Sequence, residues 1–185
     1  EFWMKKDDFI STSLSDREVI FDLWNNVVTS SGGTDNQDYG RFTLELDSGE
    51  SNSPFKFTLM SGTNGVSDQT IASSGIAKAT VIDNSWHHYA FTFQNTGSVL
   101  EVKSFVVGGL VGTDKHSVTR ITEITGGLIA NIGALRTAPS GTTYDGVTTG
   151  IRGASFEGAA KLSGALDEFR FWKSKRTEKE NKNIP

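Results

Sequence analysis

Short runs in which apolar and polar residues alternate with a period of two recur along this chain, the pattern of strands that bury one face. "EVIFDLWN" sets Val19, Phe21 and Leu23 on one side and Ile20, Asp22 and Trp24 on the other. "GRFTLELD" repeats it with Phe42, Leu44 and Leu46 against Arg41, Thr43 and Glu45, and "PFKFTLM" aligns Phe55, Phe57 and Leu59. The opening "EFWMK" reads as a strand, and further strands are predicted over 86–94, 99–107, about 128–134, about 151–156 and 164–172. Between them lie segments such as "TSSGGTDNQDYG", "DSGESNSP" and "RTAPSGTTYDGVTTG", made of the residues that turns require. No long stripe has helical spacing. The one helix signal comes at the end, where Thr177 and Glu180 have the spacing of a capping box. Many short strands with Gly-rich turns and one short C-terminal helix predict an all-β fold, two antiparallel sheets packed face to face. The absence of an internal repeat argues against a propeller or solenoid.

Composition narrows the picture. A chain of 185 residues with twelve Phe and four Trp can bury a core as a single domain over 1–185. Its net charge of −4 argues against a nucleic-acid partner, which needs clustered Lys and Arg. The basic stretch Lys173 to Lys182 is interleaved with Glu178 and Glu180 and reads as a solvated end segment. Without cysteine there is no thiol catalysis, thiolate metal site or disulfide. No apolar run approaches the roughly 18 residues of a membrane-spanning helix, so membrane insertion is not expected. A first residue that is not Met, followed at once by strand-like sequence, suggests a segment of a longer polypeptide.

Two passages carry a family resemblance. "NSWHHYAFTF", Asn84 to Phe93, followed by a turn at Gly97, resembles the W-H-H-x-A-x-T strand of laminin-G-like jelly rolls in the concanavalin A-like lectin/glucanase superfamily. "LSGALDEFRFWKSKRTEKE", Leu162 to Glu180, is similar to that family's closing strand and short acidic helix, and "LIANIGA" to its I-G strand. The resemblance covers essentially the whole chain in order. It implies a jelly-roll sandwich in which each sheet is built from strands distant in sequence.

Strand geometry decides the histidine pair. Successive side chains point to opposite faces, so His87 and His88 cannot share one ligand. His87 goes with Tyr89, Phe91 and Phe93, and His88 with Trp86, Ala90 and Thr92, as expected of a central strand covered on both sides. A buried neutral imidazole with one donated and one accepted hydrogen bond is the expected state. His116 falls in the segment "GTDKHS", read as a loop. Alternation groups Asp167 with Ala165, Phe169 and Phe171, making it an acceptor for a neighbouring loop, and leaves Glu168 and Arg170 as a surface pair.

Glycosidase chemistry is the sharpest catalytic alternative. "ELDSGE" matches in spacing the acidic strand of the superfamily's retaining glucanases, with Glu45 and Glu50 as the carboxyl pair that such hydrolysis needs about 5–5.5 Å apart. Ser48 and Gly49 open a turn, however, which should carry Glu50 out of register with Glu45 and Asp47. No catalytic residue is therefore assigned. For a carbohydrate, an aromatic plate beside polar groups is the useful device, and Trp24, Tyr39 and Arg41 form the candidate set. The resemblance also implies calcium as an optional cofactor at the sandwich rim, for which Asp35, Asp38 and Asp145 are the candidate oxygen ligands. Together these readings suggest a non-catalytic recognition or adhesion module of an extracellular or virion-surface protein, with a glycan, a cell-surface ligand or neighbouring subunits of an assembly as partner.

Overall fold

A computed structural model describes residues 1–10, 17–25, 39–62, 64–71, 76–119, 121–123, 127–135, 143–144, 147–148 and 160–182. In chain order the strands are β1 (Phe2–Lys5), β2 (Arg17–Trp24), β3 (Gly40–Asp47), β4 (Phe55–Ser61), β5 (Asn64–Thr70), β6 (Trp86–Asn95), β7 (Val99–Val106), β8 (Gly109–Ser117), β9 (Ile129–Ile132), β10 (Thr143–Tyr144), β11 (Val147–Thr148) and β12 (Ala165–Asp167). Two short helices, α1 (Lys78–Val81) and α2 (Glu178–Lys182), accompany them. The strands make two five-stranded antiparallel sheets, a front sheet ordered β12-β1-β6-β7-β8 and a back sheet ordered β5-β4-β3-β2-β9, with β10 and β11 as a separate hairpin. β1 lies between β6 and β12, and β2 between β3 and β9, so each sheet joins strands far apart in sequence.

Aromatic rings on the inward faces join the sheets. Phe55 of the back sheet lies 5.0 Å from both Tyr89 and Phe91 of the front sheet, Phe57 lies 5.1 Å from Phe93, and Phe42 meets Phe93 edge-on at 4.9 Å. These contacts follow from the alternation in β3, β4 and β6, which puts Phe42, Phe55, Phe57, Phe91 and Phe93 on facing sides.

The predicted alternation breaks in β2 and in the closing strand, each for a local reason. In β2, Val19 stands opposite Glu45 but Phe21 stands opposite Leu44, so Ile20 is an inserted residue, a β-bulge. Ile20 and Phe21 both enter the core, and Val19 joins the face of Glu45 rather than that of Phe21 and Leu23 as its spacing predicts. In the closing strand Glu168 adopts a left-handed backbone with φ 47°, held by its own N–H donating to Asp167 Oδ1 at 2.8 Å. That one residue shifts the phase. Ala165 and Asp167 stay on the exposed side, whereas Phe169 and Phe171 turn inward onto Phe21 at 4.9 and 5.5 Å. The strand expected over 164–172 therefore ends at Asp167. The strand expected over 151–156 lies outside the described residues.

Two edge strands leave no alternating pattern in the sequence. β5, "NGVSDQT", is polar and half-buried throughout, and β8 is a glycine-containing edge strand. His116 lies in β8, not in a loop, with its ring edge-on to Phe57 at 5.3 Å. Gly65 in β5 needs to be glycine, because at φ 133° an added Cβ would lie 2.1 Å from the Leu59 carbonyl oxygen.

Candidate functional site

Side chains on the outer face of the back sheet form a buried polar layer. Arg17 Nη1 lies 2.8 Å from Glu45 Oε1 and 2.8 Å from Asp68 Oδ1, and Arg17 Nη2 lies 2.9 Å from Asp47 Oδ2. Lys56 Nζ is 3.3 Å from Glu50 Oε1, 3.4 Å from Asp68 Oδ1 and 3.7 Å from Asp47 Oδ2. Register explains the gathering, since Arg17 faces Asp47, Glu45 faces Lys56, and Lys56 faces Thr70 across adjacent strands. Glu50 does sit in the turn after β3, yet its carboxylate returns to this layer through Lys56 and Thr70 rather than departing from it. Burial is the largest influence on Glu45. It outweighs the attraction of Arg17 and pushes the carboxyl up to about 7. Burial also works against the charge of Arg17, but Glu45, Asp68 and Asp47 more than offset it and raise its pKa.

The residues selected for sugar contact are indeed neighbours, but they do not form an open plate. Trp24, Tyr39 and Met60 make a small buried cluster, with the Arg41 guanidinium 5.5 Å above the Trp24 ring. Arg41 grips Asp22 in a bidentate pair, Nε at 2.8 Å and Nη2 at 2.6 Å, and Thr43 donates to the same carboxylate at 3.0 Å. Trp24, Tyr39 and Arg41 are all no more than 3% exposed. A guanidinium this far from water needs such a partner, which accounts for its position. Asp35, Asp38 and Asp145 lie outside the described residues. Among the described residues no group of three or more His, Cys, Asp or Glu side chains is placed to hold a metal ion.

The two histidines diverge as alternation requires. His87 Nε2 lies 2.8 Å from Asp83 Oδ2. His88 is buried with its ring edge-on to Trp3 at 5.4 Å, and burial pushes its pKa below the usual imidazole range, which keeps it neutral. Its Nδ1 has no hydrogen-bond partner, so the two-bond arrangement expected of a buried imidazole is incomplete. Glu168 and Arg170 pair at 2.8 Å as anticipated.

A second feature has no counterpart in the candidate set. A cleft of about 500 Å³ opens between the sheets beside Glu1 and Phe2. Phe21, Phe42, Phe91, Phe93, Phe169 and Phe171 line it, and Arg170, Lys175 and Arg176 stand along its rim. The outer wall is the segment after β12, which crosses from the β12 edge of the front sheet to β8. Arg170 exchanges main-chain hydrogen bonds with Glu1 at 2.8 Å each, and Arg176 holds the Glu1 carboxylate at 2.9 and 3.0 Å. Lys175 then reaches Gln94 and Glu101, and the buried Asn181 of α2 closes the crossing. Phe171 and Trp172 are about half exposed, with Arg176 stacked 4.9 Å over Trp172. A visible signal for this site is "FRFW", three aromatics spaced around a cation just past a strand end. No family model, curated protein or solved structure matches the chain.

Proposed function

We propose that this chain is a non-catalytic recognition module of an extracellular or virion-surface protein, and that it takes its ligand in the aromatic cleft. The carrying observation is the cleft itself, a ligand-sized concavity with an apolar aromatic wall and a few charged groups at the mouth. The polar layer on the back sheet supports the same reading from the other side. Its acidic residues are locked onto Arg17 and Lys56, and Glu45 is buried, so the carboxyl pair of the glycosidase alternative is not presented to a substrate groove. An architectural role, contact with neighbouring subunits, is favoured by one separate feature. Trp86, Val107 and Leu110 are 45%, 64% and 42% exposed toward one end of the front sheet.

The test is a paired screen of the whole chain and Phe171→Asp against a glycan array, with calcium and with chelator, and against a displayed peptide library. Saturable binding of either ligand class that Phe171→Asp removes supports recognition through the cleft. Binding of neither class sinks it in favour of the architectural role.

A further inference from the structure

We propose that β5 is a flap under proton control, pinned to the outer face of the back sheet while Glu45 carries a proton and loosened once Glu45 ionises. None of the residues involved lines the cleft. Among the described residues β5 is the outermost strand of the back sheet, polar and half-buried throughout, and it reaches the core cluster through Val66. Apolar packing therefore gives it little hold, and its charged residue matters more than it would in a central strand. A bulge brings that charge to bear. Ser67 and Asp68 both stand opposite Thr58, and Asp68 takes a left-handed backbone, φ 51°, with its N–H donating to Thr58 Oγ1 at 3.1 Å. Its carboxylate thereby lies over the sheet, 3.4 Å from Lys56 of β4 and 2.8 Å from Arg17 of β2, three strands away.

Glu45 competes for the same anchor. Its Oε1 and Asp68 Oδ1 each lie 2.8 Å from one nitrogen, Arg17 Nη1, so two carboxylates converge on a single arm of the guanidinium. The charged groups around Glu45 are Arg17 from β2, Lys56 from β4, Asp68 from β5, and Asp47 and Glu50 from β3 and its turn, while Arg41 is engaged by Asp22. With Glu45 neutral, Asp47, Glu50 and Asp68 share Arg17 and Lys56; with Glu45 ionised, a fourth negative charge joins them. Like charges this close repel strongly where water is scarce, and the charge of Asp68 is one of the causes that keep the proton on Glu45. Linkage makes the effect reciprocal. Whatever Asp68 adds to the hold of Glu45 on its proton, ionised Glu45 takes from the docking of Asp68. Asp68 is the partner that yields, because its side chain is 27% exposed at the sheet edge and gains water on release, whereas that of Glu45 is 4% exposed within the sheet.

The direction follows from Glu45, whose carboxyl is pushed up to about 7, chiefly by burial. The flap is held below that value, and the hold is lost as pH rises through it. The experiment follows amide exchange of the whole chain by NMR from about pH 5.5 to about pH 8, each rate divided by the intrinsic rate at that pH. Protection at Asp68 and Ile71, whose N–H groups donate to Thr58 and Phe55 of β4, should fall about fivefold or more across this range. Val118, which donates to Ser98 beside the front sheet, should hold its protection. Glu45→Gln should remove the fall. Asp68→Asn keeps a residue suited to a left-handed backbone, and it should remove the fall while also lowering the midpoint of the Glu45 titration, read from its carboxyl carbon shift. An equal fall at Val118 would mean that the whole chain loosens and would overturn the flap. So would a fall that persists in Glu45→Gln, or a Glu45 midpoint that Asp68→Asn leaves unmoved.

Discussion

Glu45 sits where charges do not balance, with the carboxylates of Glu45, Asp47, Glu50 and Asp68 around the cations of Arg17 and Lys56. Burial dominates, and its carboxyl is pushed up to about 7 from the ordinary 4.5. The folded chain therefore keeps a proton on Glu45 over a range in which the unfolded chain has released it. The contribution to stability is complete below about 4.5 and is lost as pH rises through about 7. The whole effect is on the order of 3 kcal/mol. Glu45→Gln mimics the protonated form and should remove most of this fall, so urea unfolding from pH 5 to pH 8 should show the variant losing less stability than the parent. Parallel slopes would mean that Arg17 keeps Glu45 ionised throughout.

At the level of elements, the β7–β8 hairpin carries a residue that its turn does not suit. Val107 and Gly108 have φ values of 46° and 74°, both left-handed, the geometry that Asn-Gly fills in tight hairpins. A left-handed β-branched residue costs roughly 1–2 kcal/mol, and Val107 is too exposed to recover that by packing. Val107→Asn should stabilise the chain by about 1 kcal/mol and raise Tm by about 2–4 °C, checked by calorimetry with Val107→Ala as a control that gains little. Helix α2 behaves as its sequence predicts. Glu180 accepts from the Thr177 N–H and hydroxyl at 2.7 and 2.8 Å, and Thr177→Ala should cost about 1 kcal/mol, read as faster amide exchange at Asn181. Central strands were equally legible, because Phe42, Leu44 and Leu46 or Phe55, Phe57 and Leu59 bury one face and must alternate. β5 and β8 were not, since an edge strand with polar or small residues leaves no such mark. Ile20 and Glu168 show the other limit, where a single inserted or left-handed residue reverses the phase of everything beyond it.

Across the whole molecule, cohesion and recognition draw on the same residue type in different surroundings. Phenylalanines of the two sheets weld the sandwich, while Phe169 and Phe171 extend the ring cluster to the mouth of the cleft. This division could not be read from the chain, because it depends on a phase shift at Glu168. The candidate sugar plate failed to open for a related reason, as the Asp22 carboxylate that draws Arg41 inward also brings it over Trp24. Truncation should separate the two roles. Phe55 is fully buried against Tyr89 and Phe91, so Phe55→Ala removes contacts that join the back sheet to the front sheet and should cost about 3–5 kcal/mol in urea unfolding. Phe171 is 53% exposed and touches the core on one side, so Phe171→Ala should cost no more than about 1 kcal/mol while still reducing ligand capture. If Phe171→Ala instead unfolded the chain as Phe55→Ala does, the aromatic wall would be core, and the cleft only the gap between two sheets that it holds together.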